Sequence, residues 1–258
     1  MIEKTEAIVL RVTPYSKTSH IVTWLTPKRG RLVTIVKGAN RPKSAFLGQY
    51  DLFYTCELLY YARESGGMHI ARECAPLLVR ERLRIDWRAT ASAAYICDLI
   101  SMTTYKGGHE PQLYELATVS LNFLCEHPLK PQFLSWFELH MAETLGLAPQ
   151  FAKCVICDGL LPNLKALLFS AAKGGIVCPG CAETATPSIK VSPDTIAMLR
   201  RWQTADSPRL AQNTKCTANQ IASAGSIMGI FLRYHLEMEY IPASRKMASD
   251  MATLGKCP

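Results

Sequence analysis

Two C-x-x-C motifs constrain this fold more than any other feature of the sequence. Cys154 and Cys157 form the first pair and Cys178 and Cys181 the second, with twenty residues between the pairs. Structural zinc sites take four thiolate or imidazole ligands in a tetrahedron, and twenty residues are enough for a hairpin that brings the two pairs together. We therefore predict that these four cysteines bind zinc. Because four protein ligands leave no open coordination position, the ion is predicted to be structural rather than catalytic.

The remaining cysteines and the N-terminus indicate the compartment. Six of the ten cysteines lie in apolar or terminal surroundings that are typical of buried thiols: Cys56, Cys74, Cys97, Cys125, Cys216 and Cys257. The first ten residues, MIEKTEAIVL, lack the pattern of a secretory signal, and no window of eighteen apolar residues is present. We expect a cytoplasmic protein without a membrane span, in which cysteines are thiols or metal ligands.

Positive charge is concentrated in the first eighty residues. This segment carries twelve Lys and Arg against six Asp and Glu, a net charge of +6, whereas residues 81–258 carry seventeen against fifteen, or only +2. No acidic residue occurs between positions 28 and 50. Solvated surfaces usually mix both signs, so a one-sign stretch of this length favours a polyanionic partner. The predicted nucleic-acid-binding residues are its six cations: Lys28, Arg29, Arg31, Lys37, Arg41 and Lys43.

The segment KGANRPKS, residues 37–44, begins like a nucleotide-binding phosphate loop. Such a loop needs a second glycine before the lysine, so that backbone N–H groups can surround the phosphates. Here that position is Pro42, which has no N–H and a fixed φ. We therefore exclude an ATP site and expect the cations of this segment to contact a nucleic-acid backbone.

The first eighty residues have the pattern of five short strands. Segments rich in Val, Ile, Thr, Tyr and Phe alternate with turn signals, and Leu32, Thr34 and Val36 fall on one face of the third segment. Five short strands suit a small barrel, because closure removes exposed strand edges. An OB-fold has this strand count and length. An SH3-like barrel is the alternative, because the number of strands alone hardly distinguishes the two folds.

Helical patterns follow the strands. Residues 81–105 lack Gly and Pro and predict a long helix. Ser192 and Thr217 are predicted helix starts, the second in a capping box with Gln220 and a helix reaching to about Tyr240. Apolar residues at a spacing of four predict the buried face of another helix, with Gly146 as its C-terminal cap: Phe133, Phe137, Met141 and Leu145.

No catalytic residues are predicted. The six histidines lie far apart, and no H-E-x-x-H, G-x-S-x-G or paired-carboxylate pattern is present. Gly174 and Gly175, ahead of the second cysteine pair, are explained by a tight turn.

These segments together resemble the bacterial RecO family of recombination mediators over nearly the whole chain. The resemblance is carried by TPKRGRLVTIVKGANRPKS, by FLSWFELHMAETLGLAPQFAKCVICDG, by GGIVCPGC and by HLEMEYIPASRK. Its most specific positions in the basic segment are Thr26, Gly30, Lys37, Gly38, Arg41 and Ser44. Ser16 and Lys17 depart from the Gly-Glu that family members often have there, which adds positive charge to the first loop.

The resemblance implies an α+β multidomain protein. Its parts are a five-stranded OB-fold β-barrel at residues 1–80 and an α-helical domain at residues 81–258, with a four-cysteine zinc module inserted at residues 150–185. It also implies a nucleoid-associated protein that is not an enzyme. Such a protein binds single- and double-stranded DNA, anneals complementary strands and, with RecR, loads RecA onto strands coated with the single-strand-binding protein SSB, in the RecF pathway. The C-terminal tail of SSB is expected to bind the helical domain.

Stacking residues and two other functions remain open from the sequence. In an OB-fold, bases stack on aromatic side chains, and the candidates are Tyr15, Phe46, Tyr50 and Tyr54. One alternative function is a zinc-ribbon RNA-binding or RNA-modifying protein, which would prefer substrates that carry a 2′-hydroxyl group. The other is a thiol-redox protein that uses the C-x-x-C pairs.

Overall fold

The computed structural model describes residues 1–63, 68–105, 107–161, 167–239, 242, 244, 245 and 247. The chain forms two compact units. The first contains residues 1–128 and the described positions between 242 and 248, and the second contains the described residues from 129 to 239. The first three helices therefore group with the barrel. The domain division expected from the sequence, with its boundary after residue 80, stays a prediction.

The first unit begins with a closed five-stranded barrel. Its strand order is β1-β2-β3-β5-β4, in which β1 pairs with both β2 and β4, and β3 pairs with β5 in parallel. This arrangement confirms the OB-fold and excludes the SH3-like alternative. The strands are β1 Ile2–Pro14, β2 His20–Thr26, β3 Gly30–Val36, β4 Thr55–Tyr61 and β5 His69–Leu78.

Alternating side chains fill the barrel. In β3 the even positions from Gly30 to Val36 are buried and the odd ones half-buried, which confirms the predicted inward face. Trp24 faces Leu32 across the β2–β3 pair, and its Nε1 donates a hydrogen bond to Thr34 Oγ1 at 2.9 Å. A buried indole N–H needs such a partner, so Thr34 makes the large tryptophan compatible with the apolar interior.

The turn between β2 and β3 is packed against the segment that follows the second helix. Gly30 has φ +53°, and a Cβ atom there would lie 3.1 Å from the carbonyl oxygens of Tyr105 and Gly108. Thr26 Oγ1 donates to the Gly30 carbonyl and accepts from Arg29 N, both at 3.1 Å. Glycine is therefore required at position 30 for conformation and for space, which explains the pairing of Thr26 with Gly30 in the sequence motif.

Three helices complete the first unit: α1 Arg82–Ile85, α2 Trp87–Thr103 and α3 Pro111–Glu126. The prediction of one long helix over residues 81–105 is wrong, because the chain is extended at Asp86 (φ −93°, ψ 100°). The Asp86 carboxylate accepts hydrogen bonds from Arg88 N and Ala89 N, so it caps the start of α2. Helix α2 packs against β1 and covers part of the outside of the barrel.

The second unit combines a small sheet with four helices. The sheet has the order β7-β6-β8, and α4 packs against α5, α6 and α7. Among the described residues no helix combines the length and the apolar character that crossing a bilayer requires. The elements are α4 Gln132–Thr144, β6 Leu167–Ser170, β7 Gly175–Val177, a 3₁₀ helix Pro179–Thr184, β8 Ile189–Val191, α5 Pro193–Gln203, α6 Pro208–Asn213 and α7 Ala218–His235.

The predicted helix caps are confirmed. Gly146 has φ +72° and donates to the Glu143 carbonyl, while Leu147 donates to that of Ala142; these two bonds form a Schellman motif. Ser192 caps α5, and Thr217 with Gln220 forms the capping box of α7.

Two details of these helices differ from prediction. Of the predicted apolar face of α4, Phe133, Phe137 and Met141 are fully buried, whereas Leu145 lies at the helix end and is half-buried. Helix α7 ends at His235, so its predicted extension to Tyr240 is wrong.

Removing the cap of α2 should open its first turn. In Asp86→Ala the N–H groups of Arg88 and Ala89 lose their acceptor, which typically costs about 1 kcal/mol. We expect amide hydrogen exchange in peptides covering residues 87–91 to become about fivefold faster, measured by mass spectrometry. Asp86→Asn keeps a capping oxygen and should change exchange little. Equal acceleration in both variants would contradict the capping role.

Candidate metal centre and nucleic-acid interface

The four predicted zinc ligands lie together. The Sγ atoms of Cys154, Cys157, Cys178 and Cys181 all lie within 4.8 Å of one another, and those of Cys157 and Cys178 are 3.8 Å apart. A tetrahedron with Zn–S bonds of about 2.3 Å has sulphur atoms about 3.8 Å apart. The spacing and the soft thiolate chemistry therefore fit a zinc ion held by four protein ligands.

Two tight turns and a hairpin create this spacing. In the first turn Asp158 N donates to the Cys154 carbonyl at 2.9 Å, and in the second Cys181 N donates to that of Cys178 at 3.0 Å. The second pair follows directly after β7, which pairs with β6 in antiparallel register. The predicted hairpin between the two cysteine pairs is therefore confirmed.

Two consecutive glycines bring the two cysteine turns together, for different reasons. Gly174 has φ +77° and closes the β6–β7 turn by donating to the Ala171 carbonyl, which confirms the predicted tight turn. A Cβ atom on Gly175 would lie 2.4 Å from the Gln150 carbonyl oxygen and 2.8 Å from Val155 Cγ1. Any side chain at position 175 would therefore separate β7 from the segment that carries the first cysteine pair.

Two thiols of the cluster differ in how readily they ionise. Burial opposes ionisation of Cys154, but hydrogen bonds from the backbone N–H groups of Cys157, Cys178 and Ile156 outweigh it and lower its pKa to about 6. The pKa of Cys181 is instead raised to about 12, mainly because its thiol is hydrogen-bonded with that of Cys178. Without an ion, one thiol therefore ionises readily and a second stays protonated. A divalent cation would stabilise the thiolate form of all four.

The cysteines outside the cluster have the burial expected of thiols in apolar surroundings. Three of them are buried, namely Cys56, Cys74 and Cys97, and two are intermediate, namely Cys125 and Cys216. Burial raises the pKa of the Cys97 thiol above its usual range, so this side chain stays protonated. Cys257 lies outside the described residues.

The six cations predicted to bind nucleic acid fall into two groups at opposite ends of the β2–β3 hairpin. In this hairpin Thr26 faces Gly30 at one end, and His20 faces Val36 at the other. Seven-residue strands separate the two ends by about 20 Å. Lys28, Arg29 and Arg31 lie at the first end, and Lys37, Arg41 and Lys43 follow the second.

Two of the three cations at the β2–β3 turn already have protein partners. Arg29 forms an ion pair with Glu3. Arg31 donates from Nη1 to the Ser101 carbonyl at 2.6 Å, and is half-buried. Lys28 is exposed. The guanidinium groups at this end hold the barrel together and to α2, so they are less available to a ligand.

The other three cations surround a single concavity. Residues 37–46, which we call the basic loop, line a cavity of about 570 Å³ with Lys37, Gly38, Arg41, Pro42, Lys43, Ser44, Ala45 and Phe46. Lys37, Arg41 and Lys43 are exposed, and no carboxylate among the described residues forms an ion pair with them. The concavity therefore carries three uncompensated positive charges.

Successive hydrogen bonds fix the backbone of the basic loop. Arg41 N donates to the Gly38 carbonyl, Ser44 N to that of Arg41, and Leu47 N to that of Ser44, at 3.0–3.2 Å. Gly38 has φ +69°, and a Cβ atom there would lie 3.3 Å from Arg41 Cδ. The Arg41 side chain thus lies across the glycine, so Gly38 serves both the turn and the position of the arginine.

The β1–β2 loop lies next to the basic loop and adds a cation that the predicted set does not contain. Asn40 N donates to the Thr18 carbonyl at 3.2 Å, and Gly38 N donates to Ser19 Oγ at 3.4 Å. Lys17 is exposed in this neighbouring loop. The sequence offered a signal for this residue, because Lys17 adds a positive charge to the first predicted turn.

The four candidate stacking residues differ in exposure. Tyr54 is a core residue, only 6% exposed, and its hydroxyl accepts a hydrogen bond from Arg84. Tyr50 packs on the barrel core and is bonded to His20 at 2.8 Å; burial above all raises its pKa to about 12. Phe46 is half-buried and lines the concavity. Tyr15 is 57% exposed in the β1–β2 loop. Phe46 and Tyr15 therefore have the faces that a base could reach.

Comparison with known proteins assigns the family. Residues 1–78 match the family model described as "Recombination protein O N terminal", and residues 84–245 match "Recombination protein O C terminal". The chain belongs to the RecO family. The first match corresponds to the barrel, and the second spans the helices and the four-cysteine cluster.

Curated relatives agree with this assignment. A protein of Alkaliphilus metalliredigens named "DNA repair protein RecO" is 27% identical over 238 residues, which cover 92% of this chain and 95% of the relative. Proteins of the same name from Bacillus cereus strain AH187 and Bacillus anthracis are each 29% identical over 211 residues, covering 81% of this chain and 83% of each relative. RecO relatives thus match along most of their length.

Removal of one sulphur should release the metal. Purified wild-type protein is expected to contain one zinc per chain by plasma mass spectrometry, and Cys178→Ser should lose it. The module should then be destabilised by several kcal/mol, because binding free energy of structural zinc is folding free energy. Cys125→Ser, outside the cluster, is the matched control and should keep its zinc. Iron in place of zinc, or a fully metallated Cys178→Ser variant, would contradict the assignment.

Proposed function

We propose that this RecO-family protein is a non-enzymatic mediator of DNA repair and recombination. It binds single- and double-stranded DNA, anneals complementary strands and, together with RecR, helps to load RecA onto SSB-coated single strands in the RecF pathway. Family membership and the name of the curated relatives support the repair role. The participation of RecR and of the SSB C-terminal tail rests on the family resemblance, as does a location in the cytoplasm at the nucleoid.

The basic loop carries the proposal. An OB-fold binds nucleic acid across its β2–β3 face and its first and last loops, and the basic loop extends from the end of β3 beside the first loop. Its cations are uncompensated and its backbone is fixed before any ligand arrives. Preorganised groups lose less conformational entropy on binding, so more of the interaction energy appears as affinity.

Binding through this loop would be nearly independent of base sequence. Lysine and arginine contacts with phosphates position a protein on nucleic acid but carry no sequence information, and stacking on Phe46 or Tyr15 accepts any base. A mediator that acts at any gap or break requires this property. Zinc would have no part in the DNA contacts and would hold the three-stranded module in shape.

The cations of the basic loop should set the salt dependence of DNA binding. If Lys17, Lys37, Arg41 and Lys43 neutralise about four phosphates, the logarithm of affinity for single strands should fall with a slope of about −3 against the logarithm of salt concentration. In the double variant Lys37→Ala/Arg41→Ala the slope should flatten to about −1.5. Fluorescence anisotropy with a labelled oligonucleotide measures both values.

The control variant also removes two positive charges, but at the other end of the β2–β3 hairpin. Lys28→Ala/Arg29→Ala should leave the slope closer to that of the wild type, because these residues lie about 20 Å from the basic loop. Equal slopes for the wild type and Lys37→Ala/Arg41→Ala would refute the assignment of the interface. Circular dichroism of each variant verifies that the barrel is intact.

The mediator function itself is tested by annealing. Two complementary strands, each coated with the cognate SSB, should anneal in the presence of the protein without ATP, and the rate should fall as salt rises. Absence of annealing together with tight binding of structured RNA would instead favour the RNA-directed function. A matched DNA and RNA pair of the same sequence separates the two outcomes, because only RNA offers a 2′-hydroxyl group.

A further inference from the structure

The cations of the basic loop are clustered, so they can act together on one anionic group as well as on a strand that passes over the loop. Lys37, Arg41 and Lys43 come from seven consecutive residues and line one concavity. Such a cluster can contact successive phosphates of a strand, and its summed positive field also favours a single anion of higher charge.

A terminal phosphate is such an anion. A phosphodiester inside a strand carries one negative charge, whereas a phosphate monoester carries about −1.5 to −2 at pH 7 because its second pKa is near 6. It also offers three acceptor oxygens instead of two. The Coulomb energy with each cation scales with the charge of the anion, so a cluster of three cations favours the monoester over the diester.

The walls of the cavity fit the rest of a terminal nucleotide. Phe46 lines the same cavity and is half-buried, so one part of its ring is available to a ligand. The last base of a strand has one face without a neighbouring base, and stacking of a base on an aromatic ring contributes about 1–3 kcal/mol. Ser44 Oγ accepts a bond from Phe46 N at 3.2 Å, which leaves its hydroxyl hydrogen for a phosphate oxygen.

The position of Arg41 suits this role. Its side chain lies across Gly38, so that a Cβ atom on that glycine would lie 3.4 Å from Arg41 Nε. Two further bonds, from Asn40 N and Gly38 N, attach this part of the loop to the β1–β2 loop. The aliphatic part and Nε of Arg41 thus lie beside the cavity, and a guanidinium fork can donate two parallel bonds to one phosphate.

We propose that the basic loop is a receptor for a terminal phosphate monoester, so that the protein recognises phosphorylated DNA ends as well as continuous strands. This proposal rests on the proposed DNA-binding function and deepens it. The monoester can belong to the 5′ or the 3′ end of a strand, or to a small phosphate compound, and the experiment distinguishes these sources.

The test compares single-stranded oligonucleotides of one sequence that differ only at their ends. The set contains a 5′-phosphate, a 3′-phosphate, hydroxyl groups at both ends, and a 5′-phosphate capped as a propyl diester with a single charge. Wild-type affinity, measured by anisotropy at low salt, should be about three- to tenfold higher for one or both phosphate ends than for hydroxyl ends. The capped phosphate should bind like the hydroxyl end.

Variants locate the preference. Arg41→Ala should reduce the ratio of phosphate-end to hydroxyl-end affinity towards one, whereas Lys28→Ala should leave this ratio unchanged. Gly38→Ala displaces Arg41 without removing a charge and should reduce the ratio as well. Inorganic phosphate should compete for phosphate-ended DNA more effectively than for hydroxyl-ended DNA if the monoester alone is recognised.

Three negative outcomes are distinguishable. Equal wild-type affinity for phosphate and hydroxyl ends, with DNA binding retained, would overturn the end-receptor proposal and leave the mediator function intact. Equal gains from the capped and the free phosphate would also overturn it, because charge would then not be the cause. Failure to bind any of the oligonucleotides would overturn the proposed DNA-binding function itself.

Discussion

The barrel depends on one long strand that pairs on both sides. The first half of β1, Ile2–Ile8, pairs with β4, and the second half pairs with β2, with a change of register between Val9 and Arg11. Such a bulge bends a strand and increases its twist, which lets β1 pass from one half of the barrel to the other. At the bulge Val9 N donates to the Tyr54 carbonyl, and Phe53 N donates to that of Val9. The chain that returns from the basic loop is therefore attached to the strand that closes the barrel.

This attachment explains how a loop outside the strands keeps a defined shape. The basic loop begins at the end of β3 and is bonded to the β1–β2 loop through Asn40. Three like charges around one cavity repel one another, which opposes folding. Because the side chains are exposed, solvent and salt screen most of this repulsion. A bound anion would remove the remainder, so the same arrangement that slightly destabilises the free protein would favour binding of phosphate.

Much of this organisation could be predicted from local sequence, and its limits have physical causes. The strand pattern, the four cysteines and the caps at Gly146 and Thr217 depend on residues close in sequence, so they were predictable. The break at Asp86 was missed because no Gly or Pro marks it, although aspartate is a preferred N-cap residue and its carboxylate makes the capping bonds. The division of the cations depends on hairpin geometry and on distant partners. Arg31 donates to the carbonyl of Ser101, seventy positions away. Counting the charges in residues 28–50 cannot reveal a contact over that distance.

The cysteine turns of the second unit have few buried apolar side chains of their own. The three strands have only four, three and three residues, and the buried cluster at the turns consists of Cys154, Val177 and Ala185. So few buried side chains offset little of the conformational entropy of ordering these turns. A zinc ion on the four sulphurs would supply this stabilisation, because structural zinc contributes on the order of 10 kcal/mol to folding. The close approach of Gly175 to Gln150 serves the same site. It brings β7, which precedes Cys178, close to the first cysteine pair, so that one ion could contact all four sulphurs. A zinc ion at this site would therefore act through shape, and any effect of its loss on DNA transactions would follow from unfolding of this module.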